Sequence, residues 1–200
     1  MVVALFTLLL SLTLPNAGFS IAPRTILVYE NVSGKIAKRF IIRVARYQPD
    51  IFLEWESTSH QGTLHLYREA VHEADQFNLI GLFEVGVDLE SEEATTIWLS
   101  RAMYQDLLDD GYAQIRLNSQ PVKLQVQGEG SYNIVVDKEP AQVPIIRVKD
   151  NRRGEWVFLK DPVNPLLIEY VTPYFRQTLK RISTDPENDL RWVREIPPVK

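Results

Sequence analysis

From Arg24 onward, apolar and polar residues alternate with a period of two, the period of a half-buried β-strand. Arg24 to Glu30 is rich in branched and aromatic residues, and Ser33-Gly34 signals a turn. Lys35 to Tyr47 is a long alternating run. Ile36, Phe40, Ile42 and Val44 share one face, interrupted by Lys38, while Arg39 and Arg43 lie on the other. Pro49-Asp50 breaks the run. In Ile51 to Glu56, Ile51, Leu53 and Trp55 oppose Glu54 and Glu56. His60-Gln61-Gly62 reads as a turn into a returning strand, Thr63 to Arg68.

Val71 to Phe83 carries both helical and extended signals, and Leu89 to Ala94 is acidic and expected to be exposed. The main helix is predicted after Ser100, an N-cap residue, over Arg101 to Asp110. Met103, Tyr104, Leu107 and Leu108 form its apolar stripe, and Gly111 stands where a helix-ending glycine belongs. The strand period then returns. Gly128-Glu129-Gly130 and Asp150 to Gly154 read as hairpin loops, and Pro162, Pro165 and Pro173 punctuate the last strands, Leu166 to Thr172 and Tyr174 to Ser183. The predicted fold is mainly β: a large curved antiparallel sheet, half-barrel or barrel-like, with one main α-helix at about 100–110.

Val2 to Leu14 departs from this pattern. It is an apolar run closed by Pro15, Asn16 and Gly18, with no charged side chain before Arg24. It has the length of a signal-peptide core and falls short of the roughly 20 residues that span a bilayer. Gly18 and Ser20, or Ser20 and Ala22, supply the small residues of a cleavage site. The predicted organisation is a signal peptide at 1–22, a single β-rich domain at 23–183 and a polar tail at 184–200. The expected location is periplasmic or secreted. The alternative is a membrane anchor made by an uncleaved N-terminal segment.

Charge and cysteine content narrow the functions. With 22 Lys+Arg against 26 Asp+Glu the net charge is -4, so no nucleic-acid partner is expected. The chain has no cysteine, which removes disulfides, thiolate metal sites and a cysteine nucleophile.

Three stretches carry a resemblance: Leu64-His65-Leu66-Tyr67-Arg68, then Trp98-Leu99-Ser100-Arg101 with Leu107 and Gly111, then Asp161-Pro162-Val163-Asn164-Pro165-Leu166. In order and spacing they resemble a broad group of exported bacterial proteins of unknown function. That group is similar in outline to periplasmic lipoprotein carriers and their outer-membrane acceptors. The resemblance implies an incomplete barrel closed by helices, with acyl chains held in its concavity. It brings over no functional residue.

Candidate chemistry is sparse. His60, His65 and His72 lie near Glu69 and Glu73, and on a helix His65, Glu69 and His72 would share a face suited to zinc. Thr63 to Tyr67 reads better as a strand, so no metal site is expected. Ser100 lacks a nucleophile elbow and reads as a cap. Asp106, Asp109 and Asp110 read as a solvated helix face, and Arg39, Arg43 and Arg46 as sheet surface rather than an anion site. Asn31-Val32-Ser33 fits the glycosylation pattern, which is common by chance. No phosphate-binding glycine loop is present, and no cofactor is expected.

The aromatics Trp55, Tyr67, Phe77, Phe83, Trp98 and Tyr112 are the candidate lining of an apolar cavity. The expected function is that of an exported non-catalytic protein holding a lipid-like or other apolar ligand on the concave face of the sheet. Two alternatives are a cell-envelope module that joins another protein by strand addition, and a periplasmic hydrolase. The hydrolase requires at least two of His60, His65, His72, Asp75 and Asp106 to converge.

Overall fold

A computed structural model describes residues 20–79 and 88–184. The chain forms β1 (Ile26–Ser33), β2 (Ile36–Tyr47), β3 (Ile51–Ser57), β4 (Gln61–Leu66), α1 (Arg68–Glu73), β5 (Gln76–Phe77), β6 (Asp88–Ser91) and β7 (Ala94–Thr95). It continues through α2 (Arg101–Asp109), β8 (Tyr112–Leu117), β9 (Gln120–Val136), β10 (Glu139–Asp150), β11 (Glu155–Leu159), β12 (Leu167–Val171) and β13 (Phe175–Ser183). The strands make one sheet in the order β6-β4-β3-β2-β1-β13-β12-β11-β10-β9-β8-β5-β7. Among the described residues no helix is long and apolar enough to cross a membrane.

Alternation sets the register of the first four strands. Tyr29 lies opposite Phe40, Ile42 opposite Trp55, and Leu53 opposite Leu64, all facing one core. On the other face Arg43 lies opposite Glu54, with Nη1 and Oε2 3.3 Å apart. A one-residue slip would turn every one of these apolar side chains to the other face of the sheet.

Strand β11 is buried on both faces, and its neighbours β10 and β12 also send side chains into two cores. Val143, Ile145, Val157, Leu159 and Ile168 pack into a first core with β1–β4. Ile146, Val148, Trp156, Phe158 and Leu167 pack into a second core beneath β8 and the two helices. This explains why Glu155–Leu159 reads EWVFL, a continuous apolar run without alternation.

The predicted hairpin at Gly128-Glu129-Gly130 is not a turn. These residues lie within β9, where Gln127 is the extra residue of a bulge against β10. The bulge reverses which side the even-numbered residues face, so Val122 and Leu124 enter the second core while Ile134 and Val136 enter the first. The chain turns instead at Asp137-Lys138, both with positive φ, as a tight two-residue hairpin requires.

Two further points differ from the expected sheet. It is mixed: β4 pairs with β6, β5 with β7 and β8, and β13 with β9, all in parallel. The segments that contain α1 and α2 provide crossovers long enough for parallel pairing at β4–β6 and β5–β8. The second point is α1 itself, a short helix that begins at Arg68, the predicted end of the returning strand, and runs into the first three residues of the stretch of mixed signals. Successive pairings from β9 through β13 return to β9, which makes a closed circuit of five strands. The two outermost strands, β6 and β7, are separated only by Glu92 and Glu93. Ser91 Oγ bonds both the N–H and the carbonyl of Ala94 across that link.

Candidate functional site

The three stretches that carry the resemblance meet at one place. Leu66 ends β4, Trp98 to Arg101 leads into α2, and residues 161–166 lead into β12. Leu99 N–H donates to Pro165 O at 3.1 Å, Leu167 N–H donates to Ile97 O at 2.7 Å, and Trp98 bridges to Leu166. The Asp161-to-Pro165 loop is held by its own side chains. Asp161 accepts from Val163 N–H at 2.8 Å and from Asn164 Nδ2 at 3.0 Å, and Tyr47 O–H donates to Asn164 Oδ1 at 2.6 Å. Burial raises the Tyr47 pKa.

Between these stretches lies a recess of about 10 Å³, lined by Leu66, Thr95, Trp98, Arg101, Val163 and Pro165 among others. That is room for one water or one ligand oxygen. Ser100 beside it is the predicted cap: its Oγ accepts from Met103 N–H at 3.1 Å and donates to Ala74 O at 2.6 Å. Its hydroxyl proton is therefore committed to a carbonyl. Met103, Tyr104 and Leu107 bury the helix stripe in the second core, while Leu108 is exposed.

Arg101 lines the recess, and Arg101 and Arg68 both lie near His72. The His72 pKa is lowered by burial first and then by the charges of Arg101 and Arg68, against a weaker opposite pull from Glu73 and Glu69. The other two histidines lie elsewhere. His65 sits between Phe52 and Tyr67, with its ring centroid 5.8 and 4.0 Å from theirs, and its Nε2 is 3.1 Å from Asp50 Oδ2. Tyr67 O–H donates to Glu90 at 3.0 Å, a bond that raises its pKa. His60 bonds Ser59, and Asp75 bonds Arg116. Among the described residues no group of three or more His, Asp or Glu side chains could hold a metal.

The predicted lining aromatics fall in separate places. Trp55 and Trp98 are buried in the first core and Phe77 in the second. Tyr67 is half-buried at the surface, and Tyr112 is exposed beneath the Lys123 ammonium. Phe83 lies outside the described residues. A different aromatic group comes together instead. Trp156 stacks on Phe158 at 5.8 Å and packs at a tilt against Tyr170 at 4.1 Å, Phe77 meets Trp156 edge-on at 5.6 Å, and Phe175 lies 6.2 Å from Tyr170.

That array ends at an open groove of about 470 Å³ between the β1–β2 turn and the β12–β13 turn. Val32, Val171, Pro173, Tyr174 and Phe175 supply its apolar wall, with Arg176 at the edge. Tyr174 is 84% exposed, and Ile36, at the start of β2, is 64% exposed. A tyrosine following a proline between two strands was the available signal for this site, because turn tips are ordinarily polar.

The chain matches no protein-family model, no curated protein and no solved structure.

Proposed function

We propose that the protein is an exported, non-catalytic binding protein for a lipid-like or other apolar ligand. The observation that carries this reading is the groove beside Tyr174. Its volume of about 470 Å³ is that of a small-molecule site, and its walls are mostly apolar. An acyl chain displacing water there gains roughly 0.8 kcal/mol per buried methylene. The signal-like N-terminal run supports an envelope location for such a protein.

The two rival readings have less support. Strand addition needs a long open edge, but β6 has four residues and carries Asp88 and Glu90, with Glu92 and Glu93 following. Short, charged edges repel a pairing strand. A hydrolase needs convergent acid and base groups, whereas His60, His65 and Asp75 are bonded to three different partners.

Native mass spectrometry of the protein purified from a bacterial envelope tests the reading. A stoichiometric apolar adduct is expected, and it should be lost in a Tyr174→Ser variant that melts like the parent. A clean mass after incubation with membrane lipids would sink the proposal.

A further inference from the structure

The recess at the start of α2 has features that packing alone does not account for. Thr95 and Trp98 both line it and are 1% and 2% exposed. Among the described residues neither the Thr95 hydroxyl nor the Trp98 indole N–H has a hydrogen-bond partner. Burying such a donor unpaired costs about 1–3 kcal/mol, so these groups are poised for an acceptor from outside the chain. Arg101, the first residue of the nine-residue α2, lines the same recess. Among the described residues its guanidinium is in no ion pair, and neither is that of Arg68. Arg101 therefore places positive charge at the positive end of the α2 dipole, at the recess itself. The acidic groups near Arg68, His72 and Arg101 include Glu69 and Glu73 on α1, Asp50, whose Oδ1 accepts from Arg68 N–H at 3.1 Å, and Asp161, whose carboxylate is bonded to Val163 and Asn164.

We propose that this recess, with Arg101 at its edge, binds an oxyanion, a phosphate or carboxylate, with one oxygen in the recess and the remainder on Arg101. Thr95 and Trp98 donate to the inner oxygen, and the planar Arg101 fork takes the outer ones. The recess admits a single oxygen, so the rest of the ligand stays outside. The anion comes either from solution or from the head group of an amphiphile lying against the surface. This site is separate from the groove beside Tyr174, and either can fail without the other.

The test uses inorganic phosphate and, in parallel, vesicles of phosphatidylglycerol with phosphatidylcholine vesicles as the neutral control. Binding is read by the shift in melting temperature and by co-sedimentation. Saturable binding of phosphate or of the anionic vesicles is expected, weakened about tenfold or more by Arg101→Gln and unchanged by Arg153→Gln on the β10–β11 turn. Thr95→Val should raise the melting temperature without anion and reduce the shift that anion produces. Binding of phosphate identifies a free anion, and binding of anionic vesicles alone identifies a head group. Equal losses from Arg101→Gln and Arg153→Gln would overturn the proposal. So would the absence of saturable binding by either probe, which would leave the recess to an ordered water.

Discussion

Asp150 occupies the space that a side chain on Gly154 would need. A β-carbon at Gly154 would run into Asp150 Oδ2 and stand 2.7 Å from Tyr170 Cε2. The carboxylate cannot swing away without loss, because it accepts from Gly154 N–H at 2.6 Å, Arg152 N–H at 2.8 Å and Trp156 Nε1 at 2.9 Å. Gly154→Ala is therefore expected to destabilise the fold by about 3 kcal/mol. In denaturant unfolding the midpoint should fall while the slope stays constant. A variant as stable as the parent would show that the turn relaxes freely.

The bond from the Trp156 indole to Asp150 joins the β10–β11 turn to the aromatic array of the second core. It is a buried, charge-assisted hydrogen bond, stronger than a neutral one. Asp150→Ala leaves three N–H groups without their acceptor and is expected to cost about 3 kcal/mol. A double-mutant cycle with Trp156→Phe isolates the indole bond, with an expected coupling of about 1–2 kcal/mol. Additive effects would mean that the carboxylate serves the turn alone.

Buried tyrosines make the fold sensitive to alkali. Burial pushes the phenols of Tyr104 and Tyr170 up to about 12, with Asp161 adding at Tyr104 and Asp150 at Tyr170. Burial alone raises Tyr29, whose O–H donates to Leu167 O at 2.6 Å and so requires its proton. An unfolded tyrosine titrates near 10. Above that pH the folded chain keeps protons that the unfolded chain has released. Their stabilisation is whole below about pH 10 and is lost as pH rises through about 12, by about 1.4 kcal/mol per pH unit for each tyrosine. Tyrosinate absorbance should show a subset of the eight tyrosines ionising only as the protein unfolds. Titration of all eight near pH 10 in a folded protein would contradict this.

What could be read in the sequence was local. Ser100, the apolar stripe and Gly111 lie within one helix length, and together they marked α2 before any packing was known. The alternation of β2 and β3 marked which face is buried because each strand meets a single core. The same logic failed at β9, where a one-residue bulge passes the strand from one core to the other and its glycines imitate a turn. It could not assign Trp55, Trp98 and Phe77 to different cores, because period two tells which side a residue faces and not what lies there. The meeting of Arg101 with α1 was hidden for a similar reason. Arg68, His72 and Arg101 are brought together by the packing of α1 near the start of α2, and no spacing within either segment records it.

Ile21 bears on where a leader could be removed. It is 2% exposed and belongs to the first core. The next residues form a tight turn, in which Ala22 N–H donates to Thr25 Oγ1 at 3.0 Å and Thr25 N–H donates to Ala22 O at 3.1 Å. Cleavage after Ala22 would remove the isoleucine and the first half of that turn. The isoleucine alone accounts for about 2–3 kcal/mol of burial. Cleavage after Ser20 would keep both and would still follow the small residues Gly18 and Ser20. Any cleaved form of the chain is therefore expected to begin at Ile21 or earlier, as read by intact mass and N-terminal sequencing. A chain beginning at Pro23 with unchanged stability would show that the first core does not need Ile21, and an Ile21→Ala variant would separate that result from an error in locating the cut.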